Sequence, residues 1–144
     1  MSLEAIMSTT IISASPTATV REAIRLLEDS EIRHLPVVEE GRLLGIISDR
    51  DLREYREPLL VEIENFDSAA AERVEEALDT AIVEVMSSDL ISVDSSESIA
   101  SVIDAMSEYK VGAVPVIDRR TDKLAGIISY IDVLRYARTL IEPA

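Results

Sequence analysis

One pattern of apolar and polar positions occurs twice along this chain. In its first occurrence Val20, Ala23, Ile24 and Leu27 fall at i, i+3, i+4 and i+7, the spacing that gathers apolar side chains on one stripe of a helix. Thr19, with Glu22 three residues later, supplies the N-cap. Ahead of it, Ser15-Pro16-Thr17 is turn chemistry leading out of a short strand predicted at Ile11-Ile12-Ser13. Leu35-Pro36-Val37-Val38 and Leu43-Leu44-Gly45-Ile46-Ile47 then read as two strands joined by the hairpin turn Glu39-Glu40-Gly41-Arg42. Ser48 or Asp49 caps a second helix predicted to run through Tyr55.

The second occurrence lies 79 residues on, where Met7-Ser8-Thr9-Thr10-Ile11-Ile12-Ser13 matches Met86-Ser87-Ser88-Asp89-Leu90-Ile91-Ser92. Leu35-Pro36-Val37-Val38 matches Val114-Pro115-Val116-Ile117 at the same offset. Two extra residues within Arg119-Arg120-Thr121-Asp122 then shift the offset to 81, which aligns Gly45-Ile46-Ile47-Ser48 with Gly126-Ile127-Ile128-Ser129 and Asp51 with Asp132. So many matches, with one insertion placed in a turn, imply duplication. The copies span residues 7–56 and 85–138, each predicted as β-α-β-β-α, a mixed α/β fold (α+β mixed). The stretch 57–84 between them contains Pro58 and then the run Asp67 to Leu78, whose helix formers and apolar Val74, Ala77 and Leu78 predict a helical connector. A copy of about 50 residues buries too little surface alone, so the two are expected to pack sheet against sheet about a pseudo-twofold axis.

Composition narrows the picture. With 47% hydrophobic but only 3% aromatic residues, the core must be built from aliphatic side chains. A net charge of −14, from 14 Lys+Arg against 28 Asp+Glu, lacks the clustered cations that phosphate backbones require and argues against a nucleic-acid partner. Cysteine is absent, which excludes disulfides, thiol catalysis and Cys-based metal sites and fits a reducing, cytoplasmic setting. No apolar run approaches the roughly 20 residues that span a bilayer, so no membrane association is expected. Met1-Ser2-Leu3-Glu4 lacks a signal-peptide pattern. The scattered acids show no metal-loop spacing, so no metal site is expected.

The candidate chemistry lies where the strand ends. A glycine there admits a ligand or another backbone. A serine at the helix start offers a hydroxyl beside free N–H groups that favour an anion, and an aspartate three residues on shares its face. A carboxylate only accepts hydrogen bonds, which suits the hydroxyls of a ribose. The plainer reading is that Ser48 and Ser129 are N-caps and that Asp51 and Asp132 complement helix dipoles.

The segments Gly45-Ile46-Ile47-Ser48-Asp49-Arg50-Asp51 and Gly126-Ile127-Ile128-Ser129-Tyr130-Ile131-Asp132, each after an apolar-Pro-Val strand, resemble the closing signature of the cystathionine-β-synthase (CBS) domain. Paired copies of that domain form a Bateman module. Ile32-Arg33-His34-Leu35-Pro36-Val37-Val38 and Asp49-Arg50-Asp51-Leu52-Arg53 further resemble stand-alone pairs of the acetoin-utilisation type. The resemblance implies adenine-nucleotide ligands (AMP, ADP or ATP), with S-adenosylmethionine or NAD as alternatives, each seated between the signature of one copy and the first strand and pre-proline residues of the other. It implies one cleft of Ser48, Arg50 and Asp51 with Ile91 and Ala113, reached also by Arg33, and a second of Ser129 and Asp132 with Ile12, Arg33 and His34. Ile12 and Ile91 would line the adenine, and Asp51 and Asp132 would hold the ribose. Arg33-His34 and Asp49-Arg50 are replaced by Gly112-Ala113 and Tyr130-Ile131, so one cleft is expected to dominate.

Three functions compete. The first is a regulatory sensor that changes shape on binding nucleotide and biases an unknown effector protein. The second is a ligand-free dimerisation scaffold. An enzyme is disfavoured by the absence of Cys, by a single His and by only four glycines. The resemblance also implies a homodimer, to which Leu134, Ala137 and Leu140 would contribute an apolar surface.

Overall fold

In the computed structural model residues 2–55 and 68–142 are described. The chain forms two compact units, one of Ile12–Asp89 and one of Met1–Ile11 with Leu90–Ala144. They are called here the first-copy and second-copy units.

The first-copy unit contains α1 (Val20–Ser30), β1 (His34–Glu39), β2 (Arg42–Ser48) and α2 (Ser68–Leu78). The Thr19 side chain accepts from the Glu22 N–H at 3.3 Å, as the N-cap signature predicts. β1 and β2 pair antiparallel with Leu35 opposite Ile47 and His34 opposite Ser48. Glu40 and Gly41, at φ 52 and 81, make the hairpin turn, because two successive positive φ values match the twist of the flanking strands. Val20, Ala23 and Leu27 from the helical stripe close over Leu35, Val37 and Ile47. The predicted connector helix is α2, and it belongs to this core: Leu78 is buried, and Arg21 on α1 bonds Glu75 at 2.5 Å.

Two local expectations shift. Ile11-Ile12-Ser13 is not a strand; the chain makes only a parallel bridge one residue later, Ala14 to Val37. In the second copy the corresponding pairing is a true strand, because Ser95 N–H donates to the Ile117 carbonyl at 2.9 Å. The first copy has Pro16 at that position, which has no N–H to give and ends the ladder. After β2 the chain first makes tight turns, Asp51 N–H to Ser48 C=O at 3.1 Å and Leu52 N–H to Asp49 C=O at 3.3 Å, so the second helix begins at Arg53. Residues after Tyr55, and the connector from 57 to 67 with Pro58, lie outside the described residues.

The second-copy unit contains β3 (Val93–Asp94), α3 (Ile99–Tyr109), β4 (Ala113–Asp118), β5 (Lys123–Ser129) and α4 (Tyr130–Ile141), the predicted β-α-β-β-α order. β3 pairs parallel to β4, and β4 antiparallel to β5. Val102, Val114, Val116 and Ile128 form its core together with Leu3 from the start of the chain.

Each unit is completed by a short segment that precedes the other copy in sequence. Residues Leu3–Ala5 form a 3-10 turn whose Leu3 is buried in the second-copy core, and Ile82–Glu84 form a matching turn whose Ile82 is buried in the first. Among the described residues no helix is long and apolar enough to cross a membrane.

Candidate functional site

The ends of β2 and β5 carry the same device. At the first, Ser48 N–H donates to Asp51 Oδ2 at 2.9 Å and Asp51 N–H donates back to Ser48 Oγ at 3.1 Å. At the second, the corresponding Ser129–Asp132 contacts measure 2.9 and 3.3 Å. In the second copy this is a reciprocal capping box at the start of α4; in the first the same pair closes the turn that follows β2. The N-cap role expected as the plainer reading therefore holds for Ser129, whereas Ser48 closes the turn that precedes the helix at Arg53. In the second-copy box Ser129 Oγ also donates to Asp132 Oδ2 at 3.0 Å.

The signature glycines admit a backbone rather than a ligand. Ile46 and Ser87 exchange two hydrogen bonds of 3.0 Å, as do Ile127 and Ser8 at 2.9 and 3.1 Å. A Cβ on Gly45 would fall 2.9 Å from the Ser87 carbonyl oxygen and onto the Met86 sulfur; one on Gly126 would meet Ser8 and Met7 in the same way. Met7 and Met86 open the two copies in sequence, but nothing in a single sequence says that each lies against the glycine of the other copy's signature.

Strand register gathers the remaining candidates within each unit. His34 stands opposite Ser48, and Asp49 N–H donates to the Arg33 carbonyl at 2.8 Å, so Arg33, His34, Ser48 and Asp51 share one edge with Arg50 in the turn beside them. Ile12 is half-buried against the same unit's core. In the second-copy unit Ala113 stands opposite Ser129 and Tyr130 N–H donates to the Gly112 carbonyl at 2.9 Å, which gathers Ala113, Ser129 and Asp132, with Ile91 half-buried in the same unit. Burial holds the His34 imidazole below its usual pKa of 6.5; Asp51 and Asp49 act against that shift and Arg33 reinforces it. A cavity of about 500 Å³ opens beside the first-copy turn, lined by Arg50, Asp51, Arg53, Glu54, Tyr55, Glu84 and Val85, a volume in the range of small-molecule sites. Sequence reasoning passed over Arg53, Tyr55 and Glu84 because only the fold brings the 82–89 segment to that turn. Among the described residues no group of three or more His, Cys, Asp and Glu is placed to hold a metal ion.

The sequence matches the CBS domain family model twice, over residues 3–57 and 82–139. The chain belongs to the CBS domain family. This CBS pair is similar to the crystal structure of a Vibrio cholerae protein assigned to acetoin utilization (AcuB), with 31% identity, a TM-score of 0.74 and coverage of 98% of this chain and 93% of that one. It is also similar to the CBS domain pair of protein MJ0100 solved in complex with 5′-methylthioadenosine and S-adenosyl-L-methionine, at 28% identity, TM-score 0.70 and coverage of 94% of each chain. Protein MJ1225 of Methanocaldococcus jannaschii is 31% identical over 126 residues, which are 88% of this CBS pair but 43% of that protein. The chain thus spans less than half the length of that relative.

Proposed function

We propose that this CBS pair is a non-catalytic regulatory module that binds an adenosine-containing ligand and acts by changing conformation on binding. The observation that carries the reading is the repeated Ser–Asp pair. A carboxylate locked against the serine that ends a strand, beside donors that suit an anion, is preorganised for a ribose and its phosphate. The likeness to MJ0100, whose pair holds two adenosine compounds, supports the same ligand class. Of the candidates AMP, ADP, ATP, S-adenosylmethionine and NAD, the phosphates fit Arg33, His34 and Arg50 best. The residues proposed to meet such a ligand are Ile12, Arg33, His34, Ser48, Arg50 and Asp51 in the first-copy unit and Ile91, Ala113, Ser129 and Asp132 in the second-copy unit.

Regulation of an unidentified effector protein in the cytoplasm, as a homodimer, completes the proposal. Support for the dimer comes from α4, where Leu134 and Leu140 are 59% and 65% exposed. The test is calorimetry of AMP, ADP, ATP and S-adenosylmethionine against the wild type, Asp51→Asn and Asp132→Asn. Asparagine keeps an acceptor for the cap but loses the charge, so folding survives while affinity falls at least tenfold in one variant. Unchanged affinity in both variants would return the carboxylates to capping alone, and no binding by any compound would favour the scaffold.

A further inference from the structure

Each copy turns from its first segment into its first helix, but the two turns are fastened differently. In the second-copy unit the Asp94 carboxylate accepts from the Arg119 N–H at 3.1 Å and from the Ser96 N–H at 3.2 Å, and the Ser96 hydroxyl donates to it as well. Its backbone is held by Glu97: Asp94 N–H donates to Glu97 Oε2 at 2.6 Å, and Glu97 N–H donates to the Asp94 carbonyl at 2.9 Å. Arg119 belongs to the hairpin between β4 and β5. Its guanidinium is 79% exposed and 3.9 Å from a carboxylate that is only 13% exposed, so the backbone N–H, not the ion pair, does most of the fastening. At the matching place the first copy has Ser15, whose Oγ bonds the N–H and hydroxyl of Thr17 in its own turn at 3.3 and 3.0 Å. Glu40 stands where the second copy has Arg119.

The tie acts on the strand before it. β3 runs parallel to β4 with Val93 beside Val116 and Asp94 beside Ile117, so the chain ahead of Val93 runs back toward Ala113, where β4 begins opposite Ser129. Ile91 lies on that stretch. We infer that Asp94 is a positioning residue for the second-copy site: it touches no ligand, and by fastening the β3–α3 turn to the β4–β5 hairpin it holds the Ile91 segment in place before a ligand arrives. This role rests on the adenosine-ligand reading and adds a residue to it. A segment already ordered in the free protein lets every molecule bind, whereas loosening it lowers the apparent affinity by the fraction that stays ordered. The first copy, with Ser15 and the bridge at Ala14, leaves the Ile12 segment the looser of the two.

NMR of the isotope-labelled full chain tests this with Asp94→Ser and Asp94→Asn. Serine copies the first copy, which folds with that residue; asparagine keeps an acceptor for the Arg119 N–H. In the free wild type the amides of residues 91–95 are expected to exchange several-fold more slowly than those of residues 12–15, and Asp94→Ser to bring the two segments together. In titrations with AMP and with S-adenosylmethionine, the shifts of the Ser129 and Asp132 amides report on the second-copy site. Asp94→Ser is expected to raise the dissociation constant read there by about three- to tenfold, and Asp94→Asn to return it to within about twofold of the wild type. An unchanged constant in Asp94→Ser, an Asp94→Asn no better than Asp94→Ser, or equal exchange in the two wild-type segments overturns the inference while the ligand reading stands. Wild-type Ser129 and Asp132 amides that shift with neither compound overturn the ligand reading at this copy and the inference with it.

Discussion

The two copies share a skeleton nearly residue for residue and differ in what they place on it. In the first, the edge beside the Ser–Asp pair carries Arg33, His34 and Arg50 and a parallel pairing cut short by Pro16. In the second the pairing runs on through Ser95, and Tyr130 and Ile131 follow the serine, 42% and 39% exposed. The positions held alike are those that tie the serine to the aspartate and bring the glycine against a neighbouring backbone; those that vary include Arg33, His34, Asp49 and Arg50 against Gly112, Ala113, Tyr130 and Ile131. Duplication thus preserves architecture and leaves chemistry free to diverge.

The strongest way to probe this shared skeleton is through the segments that complete each unit. Leu3 and Ile82 occupy matching places, both fully buried, and truncation of either to Ala is expected to cost about 2–5 kcal/mol. Chemical denaturation read with hydrogen exchange should show Leu3→Ala loosening residues 90–142 first and Ile82→Ala loosening residues 12–55. The same region loosening in both variants would break the correspondence. Next come Gly45→Ala and Gly126→Ala, in which the new methyl meets a backbone oxygen at 2.9 Å. Each is expected to cost about 1–3 kcal/mol, and equal costs in the two would show that the contacts are equivalent. Ser48→Ala and Ser129→Ala remove a cap worth about 0.5–2 kcal/mol. The loss should be larger at Ser129, whose hydroxyl also donates to Asp132.

The smallest effect separates the copies by pH. His34 titrates below 6.5 in the folded chain and at about 6.5 when unfolded, so the unfolded state binds more protons between those values and stability falls as pH drops through that window. Melting temperatures of wild type and His34→Ala, followed from about pH 8 to about pH 5.5, should show the steeper decline in the wild type. Ala113, at the matching position, offers no such group.

Much of this was readable in advance. The helical stripe on Val20, Ala23 and Leu27, the cap at Thr19 and both hairpins followed from spacing and turn chemistry, since these are local preferences. The missing strand in the first copy is legible too, because Pro16 has no N–H where Ser95 donates to the ladder. The partners of the two glycines were not legible. Gly45 is held close by Ser87, and Gly126 by Ser8 from the far end of the chain, and no local pattern encodes such a pairing. At the candidate site, Ser48, Asp51, Ser129 and Asp132 were found because the repeat marked them. Arg53, Tyr55 and Glu84 were not, because their meeting depends on how the 82–89 segment returns to the first unit.

A crystal structure of the full chain with AMP tests the account most directly. The account predicts the ribose hydroxyls within hydrogen-bond distance of the Asp51 carboxylate and the phosphate beside Ser48 and Arg33. Nucleotide bound away from both aspartates, for instance along the exposed face of α4, would contradict it.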